Sequence, residues 1–122
     1  MFGAQDMGGM HGFGPVQPEP EDGPKFKADW ERRAMALTIA TGAMGAWTLD
    51  MARHARESLR AAEYLTVGYY GTWLRGVERL LESCGLASPA EIESGQPAGP
   101  PAAVPRVLKA ADVPAVLARG AP

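Results

Sequence analysis

Residues 48–74 read TLDMARHARESLRAAEYLTVGYYGTWL, and this stretch decides the predicted fold. It places one arginine, Arg53, in the first turns of a predicted helix and an aromatic cluster near the start of the next. The cluster contains all three tyrosines of the chain and one of its three tryptophans: Tyr64, Tyr69, Tyr70 and Trp73. The sequence therefore predicts a helix pair that carries polar aromatic side chains, with an arm before it and a tail after it.

The clearest helical signal lies in the second half of this stretch. From Tyr70 to Cys84, apolar residues recur three and four positions apart, which predicts an amphipathic helix over about residues 67–84 that stops at Gly85. Tyr69 stands one residue off the apolar stripe, so we expect its hydroxyl to face something other than the core. Thr48 is a favourable N-cap for the preceding helix.

Further helices are predicted on both sides of the pair. Asp29 is predicted to cap a first helix that ends at Gly42 and Gly45, with an apolar stripe formed by Trp30, Ala34, Leu37, Thr41 and Met44. A capping box predicts a short fourth helix to about residue 94, formed by Ser88, Pro89 and Glu91. One or two helical turns are expected within residues 109–119, capped by Asp112. No stretch alternates as a strand does, so the predicted fold class is all-α.

Glycine and proline divide the chain. The 15 glycines and 11 prolines are concentrated in residues 1–24 and 95–122, where they disfavour regular structure. We predict an extended wrapping arm at 1–27, a three- to four-helix domain at 28–94, and a Pro/Gly-rich linker with a short docking helix at 95–122. A helical core of roughly sixty residues is marginal by itself, which favours an obligate subunit.

Charge and composition exclude several classes of function. The net charge is -2 and no block of Lys or Arg follows a phosphate backbone, so nucleic acid is not expected as a partner. No apolar run is long enough for a transmembrane helix and no signal peptide is recognised, which predicts a cytoplasmic protein without a membrane partner. A single cysteine, Cys84, excludes an internal disulfide, and no metal site is predicted in this chain. On these grounds alone, Arg53 is an ordinary surface arginine.

Four motifs in order resemble the N-terminal helical half of the beta subunit of nitrile hydratase. The opening MFGAQDMGGMHGFGPV is similar to the family's start, M-x-G, D-x-G-G and G-x-G-P-V. FKADWERRAMAL resembles F-H-x-x-W-E-x-R, TLDMARHARE resembles x-x-D-x-x-R-x-x-x-E, and YLTVGYYGTWLRGVERLLESCGL resembles Y-x-x-x-x-Y-Y-x-x-W. The closing residues, VPRVLKAADVPAVLARGAP, are similar to the connector before the family's second domain.

The resemblance implies a lyase that hydrates a nitrile to the amide. Its metal, cobalt(III) with iron(III) as the alternative, would be bound by oxidised cysteines, including a cysteine-sulfinic acid, of a partner alpha subunit and by no residue of this chain. Arg53 matches an arginine that pairs with those oxidised cysteines, and Tyr69 matches a tyrosine that faces the metal pocket. The implied substrate-binding residues are Met35, Leu49, Ala52 and Trp73, of which Met35 and Trp73 depart from the family's usual aromatics.

The length departs from the family's pattern, since the usual beta subunit continues into a small beta-barrel. Either the chain is truncated, or the beta subunit is divided between two polypeptides and a separate chain carries the barrel. We favour the second explanation, which is typical of three-subunit nitrile hydratases. The alternatives are the small subunit of the similar thiocyanate hydrolases and the activator protein that delivers metal to the alpha subunit.

Overall fold

Six α-helices form the chain in a computed structural model that describes residues 3–120. Their bounds are α1 Asp29–Gly42, α2 Leu49–Glu57, α3 Ala61–Thr66, α4 Tyr69–Ser83, α5 Pro89–Ser94 and α6 Val113–Arg119. Short 3-10 segments occur at Ala4–Gly9 and Ala110–Asp112. No strand is present within residues 3–120, and the all-α prediction is confirmed. Residues 1–2 of the predicted arm and 121–122 of the predicted tail lie outside the described range.

Helix α4 is the centre of the fold, because both α1 and α2 pack against it. The core cluster is small and consists of Trp47, Ala55 and Leu80. Partly buried apolar side chains surround it: Met44, Ala46, Ala52, Leu81, Cys84 and Leu86. Cys84 therefore packs as a small core residue, with its sulfur 4.0 Å from the carbonyl oxygen of Ala46. No helix among the described residues is long and apolar enough to cross a bilayer.

Local hydrogen bonds fix the ends of the helices that build the core. The hydroxyl oxygen of Thr48 accepts a hydrogen bond from the backbone N–H of Met51 at 3.3 Å, so the predicted cap of α2 is confirmed. At the end of α4, Gly85 adopts a φ of +71° and the N–H of Leu86 donates to the carbonyl oxygen of Leu81 at 2.8 Å. This is a Schellman ending, and the predicted stop at Gly85 is confirmed.

At two predicted caps the expected side-chain hydrogen bond is absent, and one of them, Asp29, is also misplaced. Ala28 occupies the N-cap position of α1 without a side-chain hydrogen bond, and Asp29 is already helical. Glu31, in the first turn of α1, instead accepts a hydrogen bond from the backbone N–H of Lys27, just before the helix, at 2.6 Å. Asp112 precedes α6 but makes no capping hydrogen bond, since it ends a 3-10 turn with helical backbone angles.

The helix predicted over residues 67–84 is shorter than expected, and a separate helix precedes it. Gly68 has a φ of +78°, which interrupts the helical backbone, so that α4 begins at Tyr69 and α3 stands apart from it. Arg75 joins the two helices, with Nε 3.3 Å from Glu63 of α3 and Nη1 2.9 Å from Glu78 of α4. Hydrogen bonding to Glu78 raises the pKa of Arg75.

The predicted arm is not uniformly extended. Residues 4–9 form a 3-10 segment that lies against α3, with Met7 at a φ of +55°. Residues 10–28 contain no helix or strand, and Met10, Phe13 and Val16 are exposed. The wrapping role of the arm and the predicted domain boundaries stay predictions.

The predicted capping box of α5 is present, and it also holds the following linker. The hydroxyl oxygen of Ser88 accepts from the N–H of Glu91, and one carboxylate oxygen of Glu91 accepts from the N–H of Ser88, both at 3.1 Å. The second carboxylate oxygen of Glu91 accepts from the N–H of Ala98, also at 3.1 Å. The hydrogen bonds from Ala98 and Ser88 lower the pKa of the Glu91 carboxyl.

A pH-dependent loss of stability follows from this carboxylate. Because the pKa of Glu91 is lower in the folded chain than in the unfolded chain, its stabilising effect is present above the ordinary carboxyl pKa and is lost as pH falls through the folded pKa. Thermal unfolding followed by circular dichroism should give a lower midpoint for Glu91→Gln at neutral pH, with the gap closing in acid. Glu93→Gln, an exposed neighbour on α5, is the control. A gap that does not change with pH would contradict this account.

Candidate functional site

A groove of about 1120 Å³ lies between the helical body and the C-terminal segment. Helices α2 and α4 form its floor and one wall with Leu49, Ala52, Arg53, Arg56, Trp73, Gly76, Val77 and Leu80. The end of α1 and the loop after it contribute Thr38, Ile39, Gly42, Ala43, Trp47 and Thr48. The opposite wall comes from the C-terminal segment, with Arg106, Val107, Leu108, Asp112, Ala115, Val116, Leu117, Arg119 and Gly120.

Four of the six predicted site residues line this groove. They come from two helices, Leu49, Ala52 and Arg53 from α2 and Trp73 from α4. The cap at Thr48 starts α2 at the groove, which places all three of its site residues within the first two turns of the helix. The packing of α2 against α4 then brings them beside Trp73.

Arg53 presents a loosely held guanidinium at the groove. Its Nη1 lies 3.5 Å from Oδ1 of Asp50, and 59% of the side chain is exposed. An exposed ion pair of this kind contributes little, about 0–1 kcal/mol, because water and salt compete for both charges. The guanidinium therefore keeps most of its donors available to another anion.

Tyr69 belongs to an aromatic cluster beside the groove and does not line it. Its ring centroid lies 5.5 Å from that of Trp73 and 5.0 Å from that of Tyr70, and the residue is 68% exposed. Phe26 joins the cluster at 5.1 Å from Tyr70. Tyr69 is off the buried stripe, as its position predicted. Tyr64, which the sequence groups with these rings, lies in α3 and makes no ring contact with them in residues 3–120.

Met35 is the one predicted site residue that lies on α1. It lies half-buried on α1 and is not among the residues that line the groove. Its assignment to a substrate channel stays a prediction.

Sequence reasoning missed the basic character of the groove. Four arginines line it, Arg53, Arg56, Arg106 and Arg119, against a single acid, Asp112. The spacing of three residues between Arg53 and Arg56 was a usable signal, because residues at i and i+3 share a helix face. Arg106 gave no local signal, since it reaches the groove from a distant part of the chain.

The C-terminal wall is attached through Arg106. Its backbone N–H donates to the carbonyl oxygen of Met44 and its Nε to the carbonyl oxygen of Ala43, both at 3.2 Å. Gly45 has a φ of +80°, and a Cβ at this position would lie 3.0 Å from Nη2 of Arg106. The loop after α1 thus needs glycine for its backbone angle and for the close approach of this arginine.

The described part of the chain offers no group of three or more His, Cys, Asp or Glu side chains that could hold a metal ion. What the groove presents is arginine, aromatic and aliphatic side chains. Guanidinium groups bind carboxylates and other oxyanions, and the aromatic and aliphatic walls suit a small apolar ligand.

The fold and the groove define a small helical module that presents arginine and aromatic side chains without a metal site of its own among residues 3–120. The family model described as the nitrile hydratase beta subunit, N-terminal, matches residues 1–113. The chain belongs to this family, and the resemblance inferred from the motifs is confirmed.

Curated relatives agree with the family match. The chain is similar to a nitrile hydratase subunit beta of Pseudomonas putida, with 41% identity over 98 residues, covering 80% of this chain and 45% of the relative. It is 40% identical over 77 residues to the low-molecular weight cobalt-containing nitrile hydratase subunit beta of Rhodococcus rhodochrous, covering 63% and 34%. The cobalt-containing nitrile hydratase subunit beta of Pseudonocardia thermophila is 43% identical over 75 residues, covering 62% and 32%. The chain spans less than half the length of each.

Removing the Arg106 side chain should loosen the C-terminal wall and leave the helical body folded. Arg106→Ala deletes one of the two hydrogen bonds, and a net contribution of about 0.5–1.5 kcal/mol predicts amide exchange about threefold to tenfold faster at residues 106–108. Hydrogen–deuterium exchange measures this, with α4 as the internal reference. Arg119→Ala, which removes an exposed arginine from the same wall, is the control. Equal exchange in both variants would show that the Arg106 side chain does not hold the wall.

Proposed function

We propose that this chain is a subunit of a nitrile hydratase, a lyase that adds water to a nitrile to give the amide, and that it completes the active site of a partner alpha subunit. Family membership supports the class of enzyme. The observation that carries the site is that Leu49, Ala52, Arg53 and Trp73 line one groove. A groove with an open side, arginine on its walls and no set of metal ligands among residues 3–120 suits a surface that closes over another chain's metal.

The metal of this proposal is cobalt(III), with iron(III) as the alternative, and it is held by the alpha subunit. Two of the relatives carry cobalt-containing in their names. The described residues lack a ligand set, so the fit of this chain is to the metal's surroundings and not to the metal. The bound metal supplies Lewis-acid activation of the nitrile or water.

Arg53 is assigned to the oxidised cysteines of the partner, a sulfinic acid and a sulfenic acid. Their oxygens concentrate negative charge in a partly dry pocket, where a guanidinium provides fixed donors and keeps its proton. The loose 3.5 Å contact with Asp50 supports this role, because little is lost when Arg53 exchanges that contact for a stronger one.

Tyr69 is assigned to proton handling or substrate positioning. Its phenol donates a hydrogen bond at neutral pH without ionising, and its exposed position next to Trp73 leaves it accessible to a partner chain. The apolar walls formed by Leu49, Ala52 and Trp73 are assigned to the organic part of the nitrile, with Met35 as a further contact in the assembled enzyme.

The proposed assembly contains an alpha subunit and a second chain that carries the C-terminal beta-barrel, in the cytoplasm. The chain spans less than half the length of each of these relatives. The excess of arginine in the groove supports an anionic surface on the partner.

The relatives' names favour a nitrile over thiocyanate as substrate, because each is a nitrile hydratase beta subunit. Assaying the purified complex with a nitrile and with thiocyanate distinguishes a nitrile hydratase from a thiocyanate hydrolase. An activator would instead be absent from the mature complex, so subunit stoichiometry by native mass spectrometry tests that alternative.

Replacing Arg53 should abolish most turnover without preventing assembly. Loss of a charged donor aimed at the site predicts that Arg53→Ala lowers kcat/KM for nitrile hydration by about 10²–10³-fold, with partial recovery in Arg53→Lys. The variants are co-expressed with the partner chains and assayed by amide formation, with size exclusion reporting assembly. Arg33→Ala, an exposed arginine of α1 outside the groove, is the control. Unchanged turnover in Arg53→Ala would refute the assignment.

Removing the Tyr69 hydroxyl should slow the reaction by a smaller factor. Tyr69→Phe keeps the ring contacts with Trp73 and Tyr70 and deletes one neutral hydrogen bond, so we expect about a tenfold loss of kcat. Tyr64→Phe deletes a hydroxyl from α3, away from the ring cluster, and should leave the rate unchanged. If both variants behaved alike, Tyr69 would have no special role in turnover.

A further inference from the structure

Arg56 lies one helical turn after Arg53, and its surroundings differ from those of Arg53. Its guanidinium carbon is 5.4 Å from the ring centroid of Trp73, and its Nε donates to the carbonyl oxygen of Ala52 at 3.3 Å. The residue is half-buried, and no carboxylate in residues 3–120 forms an ion pair with it. Its charge is therefore directed at an aromatic face, where the electron-rich ring attracts a cation.

Gly76 gives the Arg56 side chain its path across α4. A Cβ at position 76 would lie 2.6 Å from Cγ of Arg56, closer than van der Waals contact allows. Gly76 is inside a regular helix and has no positive φ, so its backbone does not require glycine. The missing side chain is what lets the stem of Arg56 cross the helix and reach Trp73, one turn back on α4.

Trp73 is contacted by Arg56 and by a tyrosine pair. Tyr69 and Tyr70 each lie 5.5 Å from it, centroid to centroid. Arg56 lines the groove and the tyrosines do not. With cationic and aromatic neighbours together, the indole has little freedom to rotate, and the groove wall that it forms has a defined shape.

We infer that Arg56 is a positioning residue that holds the indole of Trp73 and so sets the width of the substrate groove, a role that rests on the proposed nitrile hydratase function. Arg56 acts through Trp73 and not on the reacting atoms. Its Nε is committed to Ala52 and its guanidinium faces the ring, whereas Arg53 retains free donors. The two neighbouring arginines thus have different roles. Arg53 binds an anion, and Arg56 holds the aromatic side chain that forms the groove wall.

The contact between Arg56 and Trp73 is tested in the 122-residue chain by nuclear magnetic resonance. The readout is the indole Nε1–H resonance of Trp73, assigned with Trp73→Phe. We expect Arg56→Met and Gly76→Ala to shift and broaden this resonance, and Arg56→Lys to shift it less, because lysine keeps the charge but not the planar stacking. Arg79→Met, an exposed arginine of α4 outside the groove, should leave it unchanged. An unchanged resonance in Arg56→Met would overturn the inference.

Gly76→Ala displaces the Arg56 side chain but keeps its charge, so it separates the effect of position from the effect of losing the guanidinium. Alanine is a better helix former than glycine, so any loss of order in this variant comes from the overlap with Arg56 and not from the helix. The double variant Gly76→Ala with Arg56→Ala keeps the new methyl group at position 76 and removes Cγ of Arg56, the atom with which that methyl group collides. We expect it to recover the thermal stability lost in Gly76→Ala but not the native Trp73 resonance. If the double variant did not recover the thermal stability, the methyl group at position 76 would collide with a group other than Arg56. That result would overturn the assigned path of the Arg56 side chain across α4.

Substrate specificity is tested in the co-expressed complex. Arg56→Met should raise KM for a bulky aromatic nitrile by about threefold to tenfold, with kcat within about twofold and a smaller effect on a short aliphatic nitrile. An equal fall in kcat for both substrates with unchanged KM would overturn the positioning role. Absence of nitrile turnover in the unaltered complex would refute the proposed function, while the Trp73 resonance would still decide whether Arg56 holds the indole.

Discussion

The crossing of α2 and α4 is the contact on which the rest of the structure depends. At Gly76 the absence of a side chain lets the stem of Arg56 lie across α4, and the apolar faces meet at Ala55 and Leu80. A glycine inside a helix costs about 1 kcal/mol relative to alanine, which the close packing offsets. The same crossing forms the core and one wall of the groove, so stability and site geometry share one set of contacts.

The core is small for the length of the chain, so much apolar surface remains exposed. Few apolar side chains of residues 3–120 are buried, while Met10, Phe13, Val16 and Tyr69 remain exposed. Apolar surface of this extent on a small helical module is characteristic of chains that bury it against others. Family membership and the open groove are consistent with that physical picture.

Local chemistry made much of the fold predictable. The cap at Thr48, the stop at Gly85 and the box at Ser88 depend on neighbours within a few residues, and each appears as predicted. The break at Gly68 was missed because the apolar periodicity begins only at Tyr70 and does not define where the helix starts, whereas the positive φ of Gly68 does. Asp29 was misplaced by one residue because aspartate suits both the cap and the first turn.

The site was harder to predict than the fold. Arg53 and Trp73 were assigned through motif resemblance, and the structure brings them to one groove without testing their roles. The sequence pattern placed Arg56 on one face of its helix but did not predict its contact with Trp73. That contact depends on the crossing of α2 and α4, which is a tertiary contact. Arg106 had no signal at all, since its contacts with Ala43 and Met44 span more than sixty positions.

The C-terminal wall is attached to the helical body less extensively than α1 and α2 are attached to α4. The wall is tied to the helical body by two hydrogen bonds from Arg106 and not by the core cluster, so it opens at a lower free energy than the body unfolds. A ligand or chain that requires the wall closed binds only that fraction of molecules, and one that requires it open binds only the remainder. A change that weakens the hydrogen bonds of Arg106 to Ala43 and Met44 is therefore expected to lower the apparent affinity of the groove for any ligand that requires the wall closed.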